Sequence, residues 1–167
     1  MEYIAKIKQD ADGYWLVDFH DCPGCQTFGE TKEDAISMAH EALEGWLETH
    51  LMHGEVPSPP TPRQGVAISV RPRLTIAIQL RWLRDRLQLT QGGLAKRVGV
   101  SQQQIAKLEN PDANPTIETL DEIARKLDAT LLVTISLKPS ARKPVRKAAR
   151  IGRPKSKAKQ TALLANR

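Results

Sequence analysis

No apolar run among the 167 residues reaches the length needed to span a bilayer. The opening stretch MEYIAKIKQD does not read as a secretory signal. The expectation is a cytoplasmic chain with no membrane partner. Cysteine is nearly missing as well, with only Cys22 and Cys25, in the run Cys22-Pro23-Gly24-Cys25. One such pair is open to three readings. It is half a zinc site completed by His20 and a helical histidine, a redox pair, or a Pro-Gly turn whose cysteines serve as small apolar side chains. A zinc site normally shows a second ligand pair, and the chain offers only the scattered His40, His50 and His53. A thioredoxin-type pair opens a helix, whereas Gln26-Thr27-Phe28-Gly29 reads as a strand. No metal is expected.

Acidic residues are missing from Lys138 onward, where eleven Lys or Arg stand without a single Asp or Glu. The net charge of +6 therefore hides an asymmetry: the first 137 residues hold fourteen basic and nineteen acidic side chains, a net of −5. Blocks of like charge usually stay disordered and act as interaction arms, often on nucleic acid. A solubilising tail is the plainer alternative. A chain this long accommodates one average domain or two small ones, and two cores of about 65 residues would be thin.

Tyr3, Ala5 and Ile7 alternate with Glu2, Lys6 and Lys8, the pattern of a half-buried strand, with Ile4 an apolar exception on the polar side. Asp10-Ala11-Asp12-Gly13 is turn chemistry. Trp15, Val17 and Phe19 mark a second strand, and a short third one ends near Phe28. Thr31 then caps a helix, with Glu33 and Asp34 in its first turn. Ala35, Ala39, Ala42, Leu43, Trp46 and Leu47 recur at three- and four-residue spacing and predict a sheet-facing side. Four prolines in Val56–Pro62 predict a stiff extended connection, and Val66–Val70 a last short strand. The first unit thus reads as βββαβ over residues 1–71.

The second unit reads as helical. Leu74–Leu87 carries an apolar face; Thr90, Ser101 and Thr116 each cap a following helix; Asn110–Pro115 is a loop. Leu131, Val133 and Ile135 alternate with Thr134 and Ser136, predicting a strand over Leu131–Leu137 whose simplest partner is its own copy in a second subunit.

The segment Leu89–Asn110 carries the strongest signal. Ala95 is small where two helices must cross. Gly99 allows the left-handed backbone of a tight interhelix turn. Val100 fills the corner, and Ile105 and Leu108 face the core. Ser101 caps the second helix, and Gln104 at its third position reaches back to it. Gln102, Gln103, Gln104 and Lys107 are then left on the outward side. Glutamine pairs bidentately with adenine in the major groove, and lysine reaches guanine or phosphate. Gln91 sits at a helix N-terminus, where its amide and backbone N–H groups suit a phosphate. An ordinary solvated face is the alternative, but three glutamines without an acid at this spacing favour DNA.

Residues 74–127 resemble the Xre/Cro family of phage and bacterial repressors, through Leu89-Thr90-Gln91, Leu94-Ala95, Val98-Gly99-Val100-Ser101 and the Ile105-x-x-Leu108-Glu109-Asn110 ending. The resemblance implies that Gln91 clamps the DNA backbone and that Ser101 to Gln104 approach bases. Gly92-Gly93 departs from the family's usual helix formers, at about 1 kcal/mol of helix stability per glycine. The first unit is similar to HicB antitoxins, through Tyr3–Ile7, Trp15–Phe19, Pro23-Gly24-Cys25, Gly29-Glu30-Thr31 and the helix from Glu33 to Leu47. That family pairs a small degenerate RNase-H-like domain with a C-terminal DNA-binding domain. It implies a HicA toxin, a small mRNA-cleaving RNase, as partner. RNase H chemistry needs a carboxylate cluster holding two metals. Asp10, Asp12, Asp18 and Asp21 form no evident constellation of that kind. They would instead suit a basic toxin surface.

The tail segment Arg150-Ile151-Gly152-Arg153-Pro154-Lys155 resembles an AT-hook core, with Ile151 where Arg is usual. Arg150, Arg153 and Lys155 are read as non-specific phosphate or minor-groove contacts. The expectation is an α+β chain: a toxin-binding domain at 1–71, a helix-turn-helix domain with a dimerising strand at 72–137, and a disordered basic tail at 138–167. Its function is that of a type II antitoxin that neutralises a HicA-like toxin and represses its own operon as a homodimer or higher even oligomer. The alternative is a free-standing regulator whose first domain senses a ligand or another protein. No catalytic residue and no cofactor is expected.

Overall fold

The computed structural model describes residues 1–135. Four strands, β1 (Glu2–Gln9), β2 (Trp15–Phe19), β3 (Gln26–Gly29) and β4 (Val66–Ser69), form an antiparallel sheet in the order β3-β2-β1-β4. Helix α1 (Lys32–Met52) covers one face, and α2 (Pro72–Arg86), α3 (Gln91–Val98), α4 (Gln102–Leu108) and α5 (Ile117–Lys126) follow. This is the βββαβ-then-helical order that the periodicities predict. None of these helices is long and apolar enough to cross a membrane.

Period-two alternation sends Tyr3, Ala5, Val17 and Phe19 into the core between sheet and helix. Ile4 stays half-buried on the other face, opposite Ala67 of β4. The Asp10 carboxylate accepts N–H bonds from Asp12 (3.0 Å) and Tyr14 (2.8 Å) and fixes the first turn. α1 begins as its sequence dictates. The Thr31 hydroxyl accepts the Asp34 N–H at 3.1 Å, and the Asp34 carboxylate accepts the Glu30 N–H at 3.1 Å. Ala35, Ala39, Leu43, Leu47 and Leu51 form its buried ridge. At Gly29 a Cβ would lie 2.3 Å from the Ala35 nitrogen, so only glycine lets β3 approach the start of α1. Gly45 is different. It is exposed, and a Cβ there would meet nothing within 4 Å, so it costs α1 about 1 kcal/mol relative to alanine with no steric return inside the chain.

The proline-rich connection is extended but tied down. The Trp82 indole donates to Pro57 O at 2.6 Å and the Tyr3 hydroxyl to Ser58 O at 2.7 Å. Thr61 donates to the Asp21 carboxylate from its N–H (2.9 Å) and its hydroxyl (2.8 Å), and Arg63 lies 3.5 Å from the same carboxylate. Asp21 is therefore occupied within the chain and is not presented to a partner, which corrects that part of the aspartate expectation. Burial by itself would raise the Asp21 carboxyl, but the Thr61 bonds and the Arg63 guanidinium outweigh it and hold it below the usual carboxylate range.

α2 begins at Pro72 rather than Leu74, with proline in the first helical turn where it is tolerated. Its first half, Leu74, Ala77 and Ile78, belongs to the sheet-and-α1 core. Leu80 belongs to a second core with Leu94, Ala95, Val98, Ile105, Ile123 and Leu127. One helix thus closes two cores, and Met1–Leu132 is a single compact unit. The strand expected over 131–137 is not formed in its described part. Residues 131–135 take no regular structure, because a lone strand has no neighbour to receive its hydrogen bonds.

Candidate nucleic-acid interface

α3 and α4 meet at the corner that the sequence prescribes. The Thr90 hydroxyl accepts the Gly93 N–H at 3.0 Å and starts α3. Gly99 stops it at φ 71°, in the left-handed region, and the Val100 N–H closes the turn on Ala95 O at 3.0 Å. Leu94, Ala95 and Val98 are buried where α3 crosses α4, and Ile105 anchors α4 from the other side. Lys126 of α5 donates to Val98 O at 2.6 Å and satisfies an end carbonyl of α3.

Ser101 and Gln104 form a complete capping box. The Gln104 N–H donates to the Ser101 hydroxyl at 3.2 Å, and the Ser101 N–H donates to Gln104 Oε1 at 3.0 Å. Gln104 is thus committed to starting α4, while Gln102, Gln103 and Lys107 stand exposed beside it. Ala106 is exposed on the same helix, a small apolar side chain that sequence reasoning passed over. Gln102 also explains part of the Gly92-Gly93 departure. A Cβ at Gly92 would sit 3.3 Å from Gln102 Oε1, so the glycine leaves room for that amide over the start of α3.

Gln91 is placed at the N-terminus of α3, but its side-chain amide turns inward and donates to Glu109 Oε2 at 3.0 Å. Glu109 is 1% exposed and is the hub beneath α4. Arg84 binds it through Nε at 2.6 Å and Nη2 at 3.1 Å. Arg81 lies 3.8 Å from the same carboxylate and donates to Glu109 O at 3.1 Å. Burial, together with the nearby Arg84 charge, pulls the Arg81 guanidinium downward, and the Glu109 carboxylate opposes them. The single acid of α4's end is thus neutralised internally, and the outward polar groups of α4 are amides and an ammonium.

A groove of about 270 Å³ runs beside this face, lined by Gln104, Lys107, Asn114, Thr116 and Thr119 among others. The sequence marks Asn114 only as loop and Thr116 only as the start of a helix, and gives Thr119 no role. The Asn-Pro-Thr run was the available signal, since a capped helix start beside a recognition helix is a ready anion site. Arg150, Arg153 and Lys155 lie outside the described residues.

The cysteine pair sits far from this chemistry in kind. The Cys25 N–H bonds Cys22 O at 3.0 Å around Gly24, whose φ is 81°. Both thiols are free and buried, and burial pushes them up to about 12 and about 11. His50 stacks on Trp46 and bonds Trp46 O at 2.8 Å, while His40 bonds Ser69 O at 3.1 Å. Among the described residues no group of three His, Cys, Asp or Glu side chains is arranged to hold a metal. The geometry is that of the turn reading.

The chain is similar to known proteins over both halves. A family described as HicB_like antitoxin of bacterial toxin-antitoxin system matches residues 3–70, and a helix-turn-helix family matches residues 80–133. Antitoxin HicB 2 of Photorhabdus laumondii is 31% identical over 123 residues, covering 72% of this chain and 86% of that protein. Antitoxin HicB 1 of the same organism is 28% identical over 137 residues, covering 81% of this chain and 87% of that protein. Antitoxin HicB of Escherichia coli K12 is 28% identical over 133 residues, covering 78% and 96%. With an α1-covered antiparallel sheet, a capped helix-turn-helix and a relative of this identity matched over most of its length, the chain belongs to the HicB antitoxin family.

Proposed function

We propose that the chain is the antitoxin of a type II pair, which binds and neutralises a HicA-like mRNA-cleaving toxin and represses its own operon. In this reading residues 1–71 hold the toxin and residues 72–137 read the operator. The observation that carries it is a serine-capped recognition helix whose outward face is Gln102, Gln103 and Lys107, built into the same compact unit as the HicB-like sheet. Gln102 and Gln103 approach base edges, Lys107 reaches guanine or phosphate, and Ser101 and Gln104 hold the helix start in place. Gln91 contributes its backbone N–H and the N-terminus of α3 to a phosphate, while its amide steadies Glu109.

Dimerisation completes the reader. A groove of about 240 Å³, lined by Ile76, Leu80, Leu83, Leu120 and Ile123 among others, opens beside Leu131. Leu132, Val133 and Ile135 are 85%, 60% and 96% exposed in the single chain. Such apolar surface is the mark of an interface, and a two-fold pairing would set two recognition helices against half-sites roughly one DNA turn, ~34 Å, apart. The basic tail, with Arg150, Arg153 and Lys155, adds sequence-independent phosphate contacts; removing residues 138–167 should weaken binding and flatten its salt dependence.

The test is co-expression with the product of the adjacent reading frame. Growth rescue and a gel shift on the shared promoter are expected. A chain that neither rescues growth nor shifts that promoter would overturn the reading.

A further inference from the structure

We propose that the outward face of α1 is the surface on which the basic toxin seats, with Gly45 as the point of closest approach; this rests on the antitoxin reading above. Asp34, Met38, Glu41, Gly45, Thr49 and Met52 follow at three- and four-residue spacing and are all exposed, so they form one continuous face. From position 34 to 52 it runs about 27 Å at 1.5 Å per residue, the scale of a specific protein interface.

Three independent features mark this face. Gly45 weakens α1 while filling no need of the fold, since a Cβ there would touch nothing. A glycine in such a place lets another backbone come close. Met38 and Met52, one on each side of it, are 38% and 77% exposed. Methionine is unbranched and polarisable, and suits a surface that must fit a partner. Beside Gly45 a shallow groove of about 280 Å³ runs to the Gly24-Cys25 turn, floored by Ala42 and Trp46.

Charge selects the occupant. Residues 1–71 carry twelve acidic side chains against five basic ones. Arg71 is bound to Glu44 and Glu48 on the flank of α1. Asp34 and Glu41 stand on the face itself, with exposed Glu33 near its start. A second copy would set these carboxylates against their own kind, whereas a basic protein meets complementary charge. On the outer side of the sheet Lys6 and Lys8 are offset by Glu2 and Asp18, so that surface offers a basic protein no net negative charge.

The test uses the full chain and the basic product of the adjacent reading frame. Gly45→Arg is well tolerated by an exposed helix position, so its melting temperature should not fall. Its toxin affinity should drop by about thirtyfold or more, the effect of disrupting the centre of an interface, while Gly45→Ala raises the melting temperature and binds less tightly than the parent. Retention of parental affinity by Gly45→Arg overturns the surface alone. Absence of binding by the unaltered chain overturns the antitoxin reading and this proposal together. A Gly45→Arg chain that binds toxin normally but changes oligomeric state assigns the face to a second copy and also overturns the proposal.

Discussion

Arg84 grips Glu109 through both ends of its guanidinium fork, at 2.6 and 3.1 Å, joining α2 to the last turn of the recognition helix across 25 positions. Because Glu109 is 1% exposed, removing it leaves Arg81 and Arg84 beneath α4 without a counter-charge. Glu109→Ala should cost about 3 kcal/mol or more in urea unfolding. A loss below about 1 kcal/mol would show that this hub does not hold α4.

Gln102, Gln103 and Gln104 are consecutive but should separate cleanly. Gln104→Ala breaks the capping box and should lower stability by about 1 kcal/mol, with little change in preference for the operator over scrambled DNA. Gln102→Ala and Gln103→Ala should leave unfolding unchanged and reduce that preference by about tenfold each. Competition anisotropy with the two duplexes distinguishes the patterns. Equal discrimination by the parent and the Gln102→Ala/Gln103→Ala double variant would end the assignment of these bases' readers.

The two thiols should be inert in the folded chain. Burial pushes Cys22 up to about 12 and Cys25 to about 11, so neither forms appreciable thiolate near pH 8. Alkylation by iodoacetamide should be slow in buffer and fast in denaturant. Rapid labelling of the native protein at pH 8 would restore the redox reading of the pair.

Acid should loosen the proline-rich strap. The Asp21 carboxyl is held below its unfolded value, so its contribution is complete above that value and fades as pH falls through the folded one. Stability should decline below about pH 4, and Asp21→Asn should lack that part of the decline. Identical acid limbs for parent and variant would remove Asp21 from the account.

Much of this was legible in the chain because it is local. Thr31, Thr90, Ser101 and Thr116 each accept an N–H from three residues on, and the sequence marks each as a helix start. Gly99 takes the left-handed turn its position demanded. What escaped depends on residues far apart in sequence. Nothing near Gln91 announces that its amide turns to Glu109, eighteen positions away. Nothing near Asp21 announces Thr61, forty positions away. The strand over 131–137 failed in its described part for a related reason: alternation signals the capacity to pair, and pairing needs a neighbour that a single chain does not provide.

The shared helix α2 bears on how such proteins diversify. Leu74, Ala77 and Ile78 plug the sheet domain, while Leu80 sits in the helical one, all within two turns. A recombination event that exchanges DNA-reading modules at position 71 would strip the donor sheet of its plug and present the acceptor with a foreign one. Viable chimaeras should therefore inherit α2 whole together with the sheet it was selected to fit, since Trp82, beyond Leu80, also anchors the first unit at Pro57.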